Sequence, residues 1–181
     1  MSSPNGLQIA RSAKECAYLS VFVALVIAAQ FALSFVPGVE IVTVLFVAYS
    51  FAFGCRRGMI AATAFALLRQ LLFGFFPTVL ILYLIYFNLL CLTFGGLGKK
   101  VKNPLKALFP IIALACLCTV SFTLLDNIIT PVWYGYSLKA TRLYFYASLP
   151  VMLPQVICTA VSVGGLFLPL VKVFSIFEKK L

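Results

Sequence analysis

A chain of 181 residues that is 64% hydrophobic and 10% charged, with a mean hydropathy of +1.13, has too few polar side chains to clothe a soluble surface. Its 14 basic and four acidic residues give a net charge of +10; in a membrane protein, topology and attraction to anionic headgroups account for that excess, at about 1 kcal/mol per residue near the surface, so no nucleic acid is required. The absence of histidine excludes Ser/His and Cys/His nucleophilic catalysis, intramembrane zinc proteases and haem held by histidine.

Residues 1–13 are polar and the first apolar run is long enough to remain as a span, so no cleaved signal peptide is expected. Apolar stretches predict spans at 16–36, 39–53, 59–73, 79–94, 105–125 and 149–171. The expectation is an all-α integral membrane protein, a compact bundle of six transmembrane helices in one domain over 1–181. The second, third and fourth spans are short for a hydrocarbon core of about 30 Å, which wants about 20 helical residues. Breaks are expected at Pro37 and Gly38, over 54–58, over 74–77, and over 95–98 with Asn103 and Pro104. A long connecting segment is expected over 127–148.

The basic residues alternate between gaps. Arg11 and Lys14 precede the first span, Arg56 and Arg57 follow the second, Lys99, Lys100, Lys102 and Lys106 follow the fourth, and Lys172, Lys179 and Lys180 follow the sixth. The opposite gaps hold only Lys139 and Arg142, while Arg69 lies within an apolar stretch. The positive-inside rule then puts both termini in the cytoplasm, as expected of a multi-pass protein of a prokaryotic plasma membrane. The six cysteines fall within spans or at their cytoplasmic ends and read as small packing residues, with neither a disulfide framework nor a metal site implied. No Walker-type phosphate loop is present, so the chain does not hydrolyse ATP itself.

The remaining chemistry gathers at the outer ends of the spans. Glu40 stands at the start of the second, where it either lines a pocket or caps a helix. Arg69 and Gln70 lie one turn before Gly74; the arginine either snorkels outward or faces a cavity or a carboxylate such as Glu40 or Asp126. Tyr83 and Tyr86 belong to an aromatic belt or a pocket wall. Asn88 and Gln155 either meet a solute or bond neighbouring helices. Asp126 and Asn127 end the fifth span. The segment 127–148, with Trp133, Tyr134, Tyr136, Tyr144, Phe145 and Tyr146 beside Lys139 and Arg142, is either a lid over a ligand or an interfacial stretch. Such convergence at one depth points to a ligand pocket open to the outside, with Glu40, Arg69, Gln70, Tyr83, Tyr86, Asn88, Asp126, Asn127, Trp133 and Gln155 as its candidates.

On the first span Ser20, Ala24, Ala28 and Ala32 recur every fourth residue, a groove for another helix. Its occupant is either a partner protein or the third span, where Gly58, Ala62 and Ala66 are also four apart.

With this stripe, six spans, both ends inside, the run VPGVEIVTVL at 36–45, FGCRRG at 53–58 and RQLLFG at 69–74, the chain resembles the substrate-binding S-components of energy-coupling factor transporters. The resemblance implies high-affinity capture of a vitamin or related micronutrient from outside. It implies as partners a transmembrane coupling protein and two cytoplasmic ATPases, with Ser20, Ala24, Ala28 and Ala32 as the docking stripe. No pattern for riboflavin, thiamine or biotin is seen. The rival expectations are an autonomous small-solute carrier and a membrane assembly subunit; an enzyme, or any cofactor, is the least supported reading.

Overall fold

The computed structural model describes residues 4–36, 41–101 and 103–179. Glu40, with the rest of 37–40, Lys102 and Lys180 lie outside the described residues. The chain is all-helical there: α1 (Pro4–Leu33), α2 (Val42–Phe53), α3 (Cys55–Phe73), α4 (Pro77–Lys100), α5 (Leu108–Tyr134) and α6 (Leu138–Glu178). The α1 segment Ala13–Leu33 and helices α4, α5 and α6 are long and apolar enough to cross a membrane. Much of their apolar surface is exposed, including Leu25, Phe31, Leu117, Ile128, Val161 and Leu166, which suggests a membrane protein whose solvent is lipid.

The short second helix is the axis of the fold. Its 12 residues rise about 18 Å, too little to cross a core of about 30 Å, and residues 42–51 are all buried. A helix can end inside the hydrocarbon layer only when other helices cover its terminal backbone groups, and here α3, α4 and α6 pack around it. Phe46 of α2 meets Phe22 of α1, Phe65 of α3 and Phe87 of α4 at ring distances of 5.5, 5.3 and 4.9 Å. Neighbours then run α1, α3, α4, α5, α6 around α2. The ring stays open between α1 and α6, whose backbones do not pack among the described residues; the rings of Tyr18 and Phe177 and of Phe22 and Phe174 reach across the gap, at 5.4 and 5.8 Å.

Glycines tighten one end. Gly54, at φ +85°, makes the single-residue turn from α2 to α3. That turn sits on α4 so closely that a Cβ on Gly95 would collide with the backbone of Gly54 and Cys55, and one on Gly98 with the backbone of Phe51. The expected break over 95–98 is therefore corrected: α4 continues through these glycines to Lys100, and their smallness serves close approach. Likewise the break over 54–58 shrinks to Gly54 alone, with Arg56 and Arg57 inside α3.

The largest correction concerns 127–148. It is no loop: α5 runs on to Tyr134, Gly135 in the left-handed region (φ +63°) closes it, and Ser137 caps α6 by accepting from the Ala140 amide at 3.3 Å. Pro131, Pro150 and Pro154 lie within these helices. The 41 residues of α6 rise about 62 Å, twice the thickness of a hydrocarbon core, so roughly half the helix has to extend beyond it or along its surface.

Candidate functional site

Opposite the glycine-packed end, two polar clusters form. The first is built on Arg69, about one turn before α3 ends at Gly74 (φ +91°). Its Nε donates to Gln30 Oε1 of α1 at 3.2 Å, and Gln30 Nε2 donates to the Tyr83 hydroxyl of α4 at 3.1 Å. The guanidinium carbon lies 4.8 Å from the Phe73 ring centre and 4.7 Å from that of Tyr83, so two aromatic faces hold the cation. Arg69 Nη1 is buried without a hydrogen-bond partner. No carboxylate among the described residues pairs with Arg69, and Asp126 in particular does not. The group is thus a positioned cation with an unused donor, the chemistry of a receptor for a carboxylate or phosphate.

The second cluster joins α5 to α6. Asp126 accepts from the Thr130 hydroxyl at 2.8 Å and the Tyr144 hydroxyl at 2.7 Å. Asn127 Nδ2 donates to Ser148 Oγ at 2.8 Å, and its buried Oδ1 lacks a partner. Beside them is a cavity of about 270 Å³ walled by Phe122, Thr123, Asp126, Tyr144, Val151 and Gln155 among others. Thr123 Oγ1 is buried there without a partner. An aromatic partition divides the clusters: Phe122 lies 5.9 Å from Tyr83 and 4.9 Å from Tyr86.

The remaining candidates divide between structure and surface. Gln70 Oε1 accepts from the Phe76 amide at 3.0 Å and closes the α3–α4 turn. Asn88 donates to the Leu84 carbonyl at 2.7 Å and bonds Thr63 of α3 at 3.3 Å; it clasps two helices and is not placed in either cluster. Tyr86 is buried against Phe87 and Phe122. Trp133 is exposed near the tip of the α5–α6 hairpin and does not line the cavity, because the helical path carries it past Asp126 by two turns. Gln30 and Phe73 were missed. A glutamine inside an apolar span is itself a signal that it bonds something there; Phe73 carries none.

The docking candidates form a separate surface. Ser20, Ala24, Ala28 and Ala32 are all exposed. They do not pack on the small stripe of α3: Gly58, Ala62 and Ala66 are buried, with Gly58 against Ser50 and Cys91 of α2 and α4. Ser20 and Ala24 instead wall an open groove of about 320 Å³ with Ala64, Leu68, Leu71 and Leu72 of α3. No protein-family model, no curated protein and no solved structure matches this chain.

Proposed function

We propose that the chain is the substrate-capture subunit of an energy-coupling factor type importer, binding a vitamin or related small solute and handing it to a coupling protein driven by two ATPases. All six helices cross or enter the plasma membrane, both termini face the cytoplasm, and the Arg69 and Asp126 clusters face outward. The solute meets Arg69 through an anionic group, lies on Tyr83, Tyr86 and Phe122, and is covered from the side of Gln155. No step of this work is catalytic. Export of binding energy to transport is left to the partners, for which the Ser20, Ala24, Ala28 and Ala32 face is the seat.

The observation that carries this reading is the exposure of that face: four small side chains in register on α1, two of which, Ser20 and Ala24, wall a groove that the small stripe of α3 does not fill. In lipid no hydrophobic force joins helices, so small residues at an unfilled surface are informative about close helix approach. Two measurements test it. Purification of the tagged chain from native membranes in mild detergent, with mass spectrometry of what accompanies it, is expected to recover a coupling protein and two ATPases. Ala28→Trp is expected to abolish uptake while solute affinity stays near that of the parent; equal loss of both sinks the docking role. Recovery of the chain alone, with uptake intact, transfers the case to an autonomous carrier.

A further inference from the structure

The open side of the ring, between α1 and α6, is a groove of about 540 Å³, within the size range of small-molecule sites, roughly 300–1,000 Å³. Its α1 wall is one helical face, Lys14, Ala17, Tyr18, Val21, Phe22 and Leu25; α2 gives Tyr49 and Phe53, and α6 gives Leu170, Val173, Phe174 and Phe177. Phe22 stacks on Tyr49 at 3.9 Å and meets Phe174 edge-on, so the floor is rigid and the two helices are held apart by rings. Along α1, Lys14 to Leu25 rises about 16 Å, close to the depth of one leaflet, half of a core of about 30 Å.

Charge is confined to one end. Lys14 is the only charged residue lining the groove, and it has no carboxylate partner among the described residues. The neighbouring Glu15 is already engaged by Arg57, whose guanidinium is 2.6 Å away and stands 6.0 Å from the Phe53 ring. Arg56, Lys99, Lys100 and Lys179 belong to the same end of the bundle. An apolar trough in lipid is filled, since an empty one forfeits dispersion contacts; a trough one leaflet deep that ends at a free ammonium selects what fills it.

We propose that this groove is a binding site for an anionic phospholipid of the leaflet around the basic end, an acyl chain lying along α1 against Phe22 and Phe174 and the phosphate held by Lys14. The site is independent of solute capture and stands on the far side of α1 from the alanine-lined groove.

The chain has a single tryptophan, which makes a clean reporter possible. Trp133→Phe combined with Tyr18→Trp puts the one indole in the groove, and the full chain is reconstituted in vesicles of phosphatidylcholine with brominated phosphatidylglycerol or brominated phosphatidylcholine as quencher. Brominated phosphatidylglycerol is expected to occupy the site about fivefold more strongly, the ratio that one lysine beside an anionic headgroup supplies, and Lys14→Gln is expected to bring the two lipids to parity. Val173→Trp reports from the opposite wall where Tyr18→Trp does not fold. Equal quenching by both lipids with Lys14 present overturns the proposal, as does a preference that survives Lys14→Gln. Weak quenching by both, with the indole still shielded, also overturns it and assigns the groove to a second copy or a partner helix.

Discussion

The two ends of this bundle spend their polar and small residues in opposite ways. At the basic end, Gly54, Gly95 and Gly98 let the α2–α3 turn lie on α4 with no room for a side chain, and Arg57 and Glu15 satisfy each other. At the other end, buried atoms without hydrogen-bond partners accumulate: Arg69 Nη1, Gln70 Nε2, Thr123 Oγ1 and Asn127 Oδ1, against Ser50 Oγ elsewhere among the described residues. Leaving a buried polar atom unpaired costs about 1–3 kcal/mol, so the two ends differ in how completely the fold satisfies its own polar atoms. The glycine end packs helix on helix; the Arg69 end leaves donors and acceptors unpaired, which is what the proposed solute site requires.

The sharpest way to break that contrast is at Gly95. Gly95→Val places two methyl groups against the backbone of Gly54 and Cys55, where neither helix can shift without moving α2, and overpacking of this kind costs about 3 kcal/mol or more. The expected result is loss of monodisperse protein after detergent extraction and a large fall in Tm, with no solute able to restore it. Arg69→Ala is the counterpart. Folding is expected to survive, since among the described residues the cation makes one hydrogen bond and two ring contacts, while affinity for an anionic solute falls by roughly 10- to 100-fold, the worth of a charge-assisted hydrogen bond. Unchanged affinity in equilibrium binding removes Arg69 from the site. Arg69→Lys keeps the charge but loses the planar fork between Phe73 and Tyr83, so intermediate affinity is expected.

Much of this division was legible in the sequence, and the reasons for the failures are physical. Hydrophobic runs located all six helices, and the polar residues set into those runs, Arg69 and Asp126 above all, gather in two clusters at the end away from the packed glycines. What periodicity lacked was a way to tell a helix break from a helix contact. Gly95 and Gly98 read as punctuation because glycine has the same composition signal in both roles, and only the approach of another backbone decides between them. Pro150 and Pro154 fall inside the expected sixth span and inside α6: a proline removes one hydrogen bond, and a long apolar helix absorbs that loss. The segment 127–148 carried its own correction, since Gly135 and Ser137 are a helix stop and a helix N-cap two residues apart. Asp126 is one of two carboxylates that the sequence leaves open to Arg69, yet its two oxygens are taken by hydroxyls from its own hairpin.

That hairpin supplies a prediction of middle size. Tyr144→Phe deletes the donor 2.7 Å from Asp126 and leaves the carboxylate with Thr130 alone. If the cluster belongs to the holding side of the contrast, stability falls by about 1–2 kcal/mol, the cost of a lost charge-assisted hydrogen bond, and solute affinity is untouched. If it belongs to the recognising side, affinity falls and Tm hardly moves. Urea or thermal titration beside a binding isotherm separates the two.

The smallest expected effect tests whether the hairpin tip takes part at all. Ser137→Ala removes the hydroxyl that accepts from the Ala140 amide, an exposed cap worth about 1 kcal/mol. Global stability is set by the packing around α2, far from this turn, so the loss is expected to appear only as faster hydrogen exchange of the amides at 138–141, by about fivefold, with Tm unchanged. A tip that merely extends α5 and α6 leaves solute affinity where it was. Should affinity fall together with amide protection at 138–141, the order of this turn is coupled to the cavity between Asp126 and Gln155, and the recognising end extends to the hairpin tip, some 15 Å beyond Asp126 at the helical rise of about 1.5 Å per residue.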